Sequence, residues 1–297
     1  MNNVFNSVKY IVLSVSTVCN LKCKNCITFT PYHRHPVFFS VSDLKADVER
    51  FFRIFGKPLE RMDLGGGEPL LHPQLDEFVR WALKYQGTHF SQLRILTNGS
   101  IRIPKPLIEL LKGKDAFFLI DNYGPELSPA VEYNESELQK NGIPYRVNTY
   151  YGDKQYFNGW VDFGILVFKN WTSSELEQMR LNCFDIYSES EISRQHPCDH
   201  LHIKNGHICY CDIQQVGASH IPVNKGDYID LRSDGSDEEL RECLLTFKQG
   251  LIECCKYCNG FLQVLQGRRE TAHGNLRIPA AIQFTKDELK NLPVECI

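Results

Sequence analysis

Residues 10–26 read YIVLSVSTVCNLKCKNC, an apolar run that leads directly into three closely spaced cysteines. The run Tyr10–Ser16 is apolar and rich in β-branched residues, which predicts a buried strand. Cys19, Cys23 and Cys26 then follow with the spacing C-x3-C-x2-C. The sequence therefore places three thiols in one loop, directly after the first predicted strand.

The first half of the chain alternates strand-like runs with helix-like runs. Further strands are predicted at Leu59–Leu64, Leu93–Leu96, Ala116–Ile120, Tyr145–Tyr150 and, as a possible sixth, Val161–Phe168. Helices are predicted from Ser40 or Ser42 to about Phe55, from Pro73 to about Tyr85, at Pro106–Lys112, at Ser136–Asn141 and at Glu175–Ile186. Repeated strand–helix units indicate an α/β fold with a parallel sheet that is either open or curled into a barrel.

Two polar, glycine-containing segments also follow predicted strands. Gly65-Gly66-Gly67-Glu68-Pro69 comes after the second strand and Thr97-Asn98-Gly99 after the third. Ligands of parallel sheets bind at the carboxyl ends of the strands. We therefore expect both segments to face the same rim as the cysteine loop.

The composition excludes several function classes and leaves the cysteines to be explained. With a net charge of −3 and no Lys/Arg-rich run, the chain carries no footprint for nucleic acid. It has no apolar run of the roughly 20 residues that a membrane span needs and no secretory signal pattern, so we expect a cytoplasmic protein without a membrane partner. Twelve cysteines in such a chain favour metal or redox chemistry over disulfides.

The spacing of the first three cysteines suits an iron–sulfur cluster. Three thiolates in one loop can ligate three irons of a cubane, which leaves the fourth iron open to a cofactor or substrate. Structural zinc is the alternative, with His33 or His35 as a possible fourth ligand. Glycines after a strand let the backbone approach a ligand, and Glu68 can pair with an ammonium group; a tight turn is the alternative reading of the glycine run.

In these three segments, and over most of residues 8–170, the sequence resembles the radical S-adenosylmethionine superfamily. The resemblance implies a partial (β/α)6 TIM-like barrel. It implies a 4Fe–4S cluster on the three cysteines, with the open iron chelated by the amino and carboxylate groups of S-adenosylmethionine. It also implies a set of residues that contact this cofactor, namely Gly66, Gly67, Glu68, Pro69, Thr97 and Asn98.

The resemblance also implies the chemistry. A reductant such as flavodoxin or ferredoxin would supply one electron, and cleavage of S-adenosylmethionine would give a 5′-deoxyadenosyl radical that removes a hydrogen atom from the substrate. The residue before the third cysteine is commonly aromatic in this superfamily and packs by the adenine. Here that residue is Asn25, so part of the adenine contact must come from elsewhere.

A second group of cysteines lies near the C-terminus. Cys198 and Cys211 flank a predicted hairpin whose turn is Asn205-Gly206, and Cys255 and Cys258 form a C-x2-C pair. Spacing alone leaves zinc and an iron–sulfur cluster open. The arrangement resembles the twitch domain, a shortened SPASM-type extension, which implies an auxiliary 4Fe–4S cluster on these four thiols. Other cysteines are alternative ligands or ordinary thiols: Cys183, Cys209 and Cys254 are close alternatives, and Cys243 and Cys296 are read as ordinary thiols.

The change of pattern near residue 189 predicts the domain organisation. Residues 1–188 would form the partial barrel, 189–270 a small cysteine-rich twitch domain and 271–297 a C-terminal tail. Peptide-modifying relatives often carry an extra domain that grips a leader peptide, whereas about nine residues precede the first predicted strand here. A small polar substrate is therefore expected, such as a sugar, an aminocyclitol or a nucleotide conjugate.

The layout is similar to that of the aminocyclitol dehydrogenases of the superfamily, which implies a net oxidation with the auxiliary cluster as electron acceptor. Alternatives are a radical epimerase, in which Cys183 or Cys209 returns a hydrogen atom, and a peptide-modifying enzyme that matures ribosomal peptides. A non-enzymatic iron–sulfur or zinc protein is the alternative of another class. The sequence leaves the oligomeric state open.

Polar residues at the ends of the later strands are the candidates for catalytic acid and base. These are Asp121, Arg146, Tyr150 and Asp162. Residues at the carboxyl ends of barrel strands often line the active site, although each of these could equally cap a turn.

Overall fold

The computed structural model describes residues 8–33, 35–155, 160, 168–176, 200–209, 211, 214, 227–247, 253–259, 262–264, 268–270 and 278–292. Its main sheet has eight strands in the order β5-β4-β3-β2-β1-β6-β7-β8. These are β1 Tyr10–Ser16, β2 Leu59–Gly66, β3 Phe90–Thr97, β4 Ala116–Asn122, β5 Tyr145–Thr149, β6 His200–Lys204, β7 His207–Cys209 and β8 Ile229–Asp230. Strands β1 to β6 pair in parallel, whereas β7 and β8 pair antiparallel.

Six α-helices are described: α1 Val41–Phe55, α2 Leu75–Ala82, α3 Lys105–Leu111, α4 Val131–Lys140, α5 Asp237–Thr246 and α6 Lys286–Lys290. Short 3-10 helices lie at Thr30–Tyr32, Pro69–Leu71, Gly152–Lys154 and Glu253–Tyr257. A separate hairpin pairs β9 Leu262–Val264 with β10 Arg268–Glu270. None of the described helices is long and apolar enough to cross a bilayer.

The predicted alternation of strands and helices is confirmed from β1 to β5. The first helix begins where its cap was predicted, because Ser40 Oγ accepts a hydrogen bond from the backbone N–H of Asp43 at 3.1 Å. It ends at Gly56, whose φ of 70° lies in the left-handed region. The predicted hairpin at Asn205-Gly206 is also present, with positive φ at both turn residues.

Two predicted elements fall largely outside the described residues. The possible sixth strand at 161–168 is described only at its last residue, and the helix predicted at 175–186 only at its first two. In the described part, the sixth parallel strand is β6, which pairs with β1 on the side opposite β2. Among the described strands the sheet is open, with β5 and β8 as its edges.

The two faces of the sheet differ sharply in chemistry. One face is apolar and packs against the helices in the main core, with side chains such as Ile11, Leu13, Met62, Leu93, Ile95, Phe118, Ile120, Leu201 and Ile203. Because side chains alternate along a strand, the residues between these point to the opposite face. That face is polar and carries Arg61, Asp63, Arg94, Asp121, His200, His202 and Lys204.

The segment predicted as a separate C-terminal domain extends the main sheet. Its hairpin, β6 and β7, pairs directly with β1. Arg50 of α1 donates to the backbone oxygens of Leu231 and Ser233, each at 2.7 Å. The division at 188/189 stays a prediction, but the hairpin on its C-terminal side is built into the barrel sheet.

An ion pair between α1 and the end of β8 anchors this extension. Asp47 is 2% exposed, and Arg232 donates to both of its carboxylate oxygens at 2.9 and 2.8 Å. A neutral group in place of this buried carboxylate loses two charge-assisted hydrogen bonds and leaves the partly exposed guanidinium of Arg232 without its counter-charge, which is destabilising.

We expect the substitution Asp47→Asn to lower the free energy of unfolding by about 2 kcal/mol. The matched control is Glu60→Gln, which breaks an exposed ion pair with Lys9 and should cost at most about 0.5 kcal/mol. Urea unfolding followed by circular dichroism measures both values. Equal values for the two variants would contradict the anchoring role of Asp47.

Candidate functional site

The glycine run after β2 pairs with the backbone that leads into the cysteine loop. Gly67 N donates to Ser16 O at 2.9 Å, and Glu68 N donates to Val18 O at 2.8 Å. A Cβ atom on Gly67 would lie 2.0 Å from Val18 O, and one on Gly66 would lie 2.5 Å from Ser16 O. Both glycines are therefore required by the approach of the two strand ends, and their contact with a cofactor stays a prediction.

Glu68 ties the ends of β2 and β3 together. Its side chain is fully buried. One carboxylate oxygen accepts from Leu70 N at 3.0 Å and from Thr97 Oγ1 at 2.9 Å, and the other accepts from Asn98 N at 2.7 Å. As expected, the segment after β2 and the segment after β3 lie at the same rim of the sheet, where Glu68 bonds to Thr97 and Asn98.

The same carboxylate retains capacity for a cation. A carboxylate has about four acceptor positions, and three of those on Glu68 are used. Burial raises the pKa of Glu68 to about 7, although the hydrogen bonds from Asn98, Leu70 and Thr97 act against this rise. A bound ammonium group would favour the charged form, so the site suits a cationic ligand.

The three cysteine sulfurs each have a neutral hydrogen-bonding neighbour. The Asn98 side-chain amide lies 3.7 Å from Cys19 Sγ, and the Gln283 amide lies 3.1 Å from Cys23 Sγ. Thr28 Oγ1 lies 3.3 Å from Cys26 Sγ. Such neighbours can stabilise thiolates without neutralising them, and a loop with three thiolates fits an iron–sulfur cluster.

Without metal, the first two thiols hold their protons strongly. Burial raises the pKa of Cys19 to about 11 and that of Cys23 to about 12, and the neighbouring thiols add to both effects. Metal binding must therefore displace these protons. In the described part of the chain no group of three or more His, Cys, Asp or Glu side chains is arranged to hold a single metal ion. The fit to a cluster thus rests on the donor set of the loop.

The backbone conformation of Asn25 suits an asparagine at this position before the third cysteine. Its φ is 55°, in the left-handed region that asparagine tolerates better than bulky residues do. The following residue, Cys26, accepts a hydrogen bond from Phe29 N at 3.0 Å. The left-handed turn therefore shapes the loop between Cys23 and Cys26.

Aromatic residues pack behind the loop. Leu21, Cys23 and Ala281 form a small buried cluster, against which Cys19, Cys26, Tyr123, Leu127 and Trp160 pack. The rings of Tyr123 and Tyr150 are stacked at 5.6 Å, and Trp160 meets Tyr123 edge-on at 5.8 Å. Sequence analysis named Tyr150 but missed Tyr123 and Trp160, although Tyr123 follows β4 by one residue.

The catalytic candidates on β4 and β5 lie together. Asn148 Nδ2 donates to Asp121 Oδ1 at 3.2 Å. Burial raises the pKa of Asp121 to about 6, against the effects of Asn148 and of the charges on Arg94 and Arg146. Arg146 is exposed on β5, whereas Asp162 lies outside the described residues. A proton-accepting role for Asp121 stays a prediction.

Three C-terminal cysteines come together. Hydrogen bonds with Cys211 and then Cys255, together with burial, raise the pKa of Cys254 well above its usual value. Cys258 lies in the same turn, with its N–H bonded to Cys255 O at 3.2 Å. The alternative ligand Cys254 is thus in hydrogen-bond contact with two of the predicted ligands, Cys211 and Cys255. Cys183, Cys198 and Cys296 lie outside the described residues, and Cys243 is exposed.

The C-terminal segment, residues 278–292, is the part of the site that sequence analysis missed. Gln283 forms an antiparallel bridge with Cys23. The backbone of Lys24 donates to Ile282 O at 2.6 Å, and Phe284 N donates to Lys22 O at 2.8 Å. Nothing in the spacing of residues so far apart in the chain indicates this contact.

The raised pKa of Glu68 predicts how the stability of the metal-free protein depends on pH. The folded state holds a proton that the unfolded state releases near pH 4.5, so stability falls as pH rises toward 7. We expect Glu68 to lower the free energy of unfolding by about 3 kcal/mol over this pH range. The substitution Glu68→Gln should remove this contribution to the pH dependence. Urea unfolding between pH 4.5 and 8 measures the slope.

The matched control for this measurement is Asp121→Asn. The pKa of Asp121 is raised to about 6. The Asp121→Asn variant should therefore make the decline in unfolding free energy less steep below about pH 6, and the decline between pH 6 and 7 should stay as in the wild type. A wild-type stability that does not fall between pH 6 and 7 would contradict the environment assigned to Glu68.

Comparisons with known proteins are consistent with this geometry. No family model matches the chain. GTP 3′,8-cyclase of Aquifex aeolicus is 28% identical over 102 residues, which is 33% of this chain and 30% of that protein. GTP 3′,8-cyclase of Nautilia profundicola is 27% identical over 156 residues, 48% of this chain and 47% of that protein. The chain thus spans less than half the length of the curated relatives named here.

Solved structures are more distant. BtrN in complex with AdoMet and 2-DOIA has a TM-score of 0.48 at 16% identity, covering 85% of this chain and 93% of that one. The structure of anSMEcpe with bound AdoMet and Cp18Cys peptide has a TM-score of 0.49 at 16% identity, covering 84% and 86%. The cysteine loop, the glycine–Glu68 segment and the partial similarity to the GTP 3′,8-cyclases together support the resemblance of this chain to the radical S-adenosylmethionine superfamily.

Proposed function

We propose that this chain uses S-adenosylmethionine to remove a hydrogen atom from a small polar substrate and completes a net oxidation. The observation that carries the proposal is the position of Asn98. Its backbone N–H binds Glu68, while its side-chain amide lies beside Cys19. One residue thereby joins the proposed ammonium site to the proposed cluster site.

Each protein group in this proposal has a defined task. Cys19, Cys23 and Cys26 hold the 4Fe–4S cluster, and Glu68 accepts a hydrogen bond from the ammonium group of the methionyl moiety. The cluster and S-adenosylmethionine together supply a 5′-deoxyadenosyl radical when they are bound. Gly66, Gly67, Pro69 and Thr97 complete the proposed cofactor site, and flavodoxin or ferredoxin is the proposed reductant.

Asp121 is the proposed proton acceptor for the oxidation. Loss of a hydrogen atom from an alcohol carbon leaves a radical, and a ketone forms when this radical gives up the hydroxyl proton and one electron. A group with a pKa of about 6 suits proton transfer near neutral pH. Asn148 and Arg146 would position this carboxylate, and the stacked rings of Tyr123 and Tyr150 would exclude water.

The electron from the substrate would pass to an auxiliary 4Fe–4S cluster in a twitch-type domain. Cys211, Cys255 and Cys258 are the proposed ligands in the described residues, with Cys198 outside them. The contact of Cys254 with Cys211 makes Cys254 an equal candidate. This acceptor closes the electron balance, because the electron that the reductant supplies for cleavage is matched by the one that the substrate returns.

Epimerisation is the second candidate, and one observation favours it. Cys209 is a buried thiol on β7 whose register partner is His202, so its side chain lies on the polar face of the sheet. A thiol there can return a hydrogen atom to a substrate radical. Peptide modification remains an alternative without a feature of the described residues that favours it.

Anaerobic reconstitution tests the enzyme. With iron, sulfide, dithionite and S-adenosylmethionine, we expect the wild-type protein to form 5′-deoxyadenosine. The triple variant Cys19→Ala/Cys23→Ala/Cys26→Ala should form none above background, because no cluster can bind the cofactor, but should retain part of its iron. Chromatography of the nucleoside and iron analysis measure both.

Cys243→Ser is the matched control, because Cys243 is exposed on α5 and should not affect either measurement. If the wild-type protein formed no 5′-deoxyadenosine, the proposed cleavage of S-adenosylmethionine would be refuted. Complete loss of iron in the triple variant would refute the proposed auxiliary cluster. It would not contradict the proposed cluster on Cys19, Cys23 and Cys26.

Solvent labelling separates the two reactions. In deuterated water, with sugars and aminocyclitols as trial substrates, an oxidation should leave no deuterium on the product carbon. Epimerisation through Cys209 should introduce one deuterium, and Cys209→Ser should abolish it. Mass spectrometry of the product measures the label, and a deuterated product that persists in the Cys209→Ser variant would exclude this thiol.

A further inference from the structure

We propose that Gln283 is a positioning residue that tunes the cluster on Cys19, Cys23 and Cys26. Its side-chain amide donates a hydrogen bond to Cys23 Sγ and thereby raises the reduction potential of that cluster. This inference rests on the cluster assignment in the proposed function. It adds a residue from the C-terminal segment, whose sequence carries no metal-binding pattern, to the environment of the metal.

The amide of Gln283 has a defined orientation. Its oxygen accepts from Lys22 N at 2.7 Å. Its nitrogen donates to Ala281 O at 2.6 Å and lies 3.1 Å from Cys23 Sγ. Turning the amide over would set its N–H groups against the N–H of Lys22 and its oxygen against the oxygen of Ala281. The network therefore selects the orientation that directs a donor at the sulfur.

Backbone pairing holds the amide in this place. On either side of the bridge between Cys23 and Gln283, the backbones of the loop and the C-terminal segment exchange hydrogen bonds of 2.6 and 2.8 Å. Because the backbone is fixed on both sides, little side-chain entropy is lost when the amide bonds to the sulfur.

A second anchor lies five residues further along the chain, in α6. Lys24 Nζ pairs with Glu288 Oε1 at 2.5 Å. Glu288 also closes the capping box of α6 with Thr285. This ion pair touches the loop but none of the three sulfurs, so it holds the segment without acting on the cluster directly.

The contact with Cys23 matters because of where this thiol lies. Cys23 is buried at 7% exposure, whereas Cys19 and Cys26 are half-buried. Reduction adds one negative charge to a cluster, and a donor directed at a ligand sulfur stabilises that charge. A hydrogen bond in a buried place is also screened less by water. Gln283 is therefore expected to make the cluster easier to reduce.

Two substitutions with side chains of similar length test the proposal in the reconstituted 297-residue chain. Gln283→Met removes the donor, and Gln283→Glu replaces it with an acceptor while keeping an oxygen for Lys22 N. We expect the midpoint potential to become more negative in the order wild type, Gln283→Met, Gln283→Glu. A redox titration followed by electron paramagnetic resonance measures it, on the signal that changes when S-adenosylmethionine is added.

Glu288→Gln is the matched control, because it removes the anchoring charge and keeps the donor. Its potential should equal that of the wild type. An unchanged midpoint potential in Gln283→Met would overturn the proposal. An equal shift in Glu288→Gln and Gln283→Met would overturn it as well, because it would mean that the C-terminal segment acts only by covering the loop.

A second measurement covers variants that fail to take up iron. Wild-type protein with ¹⁵N-labelled glutamine should show a ¹⁵N coupling to the reduced cluster in electron–nuclear double resonance, and its absence would overturn the proposal. Formation of 5′-deoxyadenosine is measured in the same samples. A wild-type protein that forms none would refute the proposed function, while the titration would still report on Gln283.

Discussion

The candidate site depends on the close pairing of two chain segments beyond the ends of β1 and β2. The backbone of residues 67–68 bonds to the oxygens of Ser16 and Val18, and this pairing is possible only because Gly66 and Gly67 carry no Cβ. It fixes the point at which the cysteine loop begins. It also buries Glu68, whose carboxylate then recruits the end of β3 through Thr97 and Asn98. A steric requirement of two glycines thus sets the position of both proposed cofactor contacts.

The burial of Glu68 has an electrostatic consequence. A carboxylate removed from water resists ionisation, and three hydrogen bonds only partly offset this effect. The group is then best stabilised by a cation that supplies the remaining partner. The thiols of Cys19 and Cys23 follow the same logic, because burial keeps them protonated until metal cations replace the protons. Burial therefore favours the protonated forms of these groups in the metal-free site, and bound cations would favour the charged forms.

Much of this arrangement could be predicted from the sequence, and the reasons are local. The strand β1, the helix capped by Ser40 and the Asn205-Gly206 turn carry periodicity or turn chemistry within a few residues. The convergence of Glu68 with Thr97 and Asn98 followed from the rule that ligands meet the carboxyl ends of parallel strands. What could not be predicted depends on long-range pairing. The placement of β6 beside β1, and of Gln283 beside Cys23, is decided by backbone contacts between residues about 190 and 260 positions apart.

Long-range pairing of this kind has a consequence for how the site assembles. The cysteine loop follows β1 near the N-terminus, yet the donor at Cys23 comes from residue 283, near the opposite end of the chain. In the folded chain the backbone of the loop is paired with the C-terminal segment at Lys22 and Lys24. Because loop closure over such a separation costs entropy, this pairing must be sustained by the sheet and the aromatic cluster behind the loop. The environment of the three thiols thus depends on the whole fold, although the three cysteines lie within eight consecutive residues.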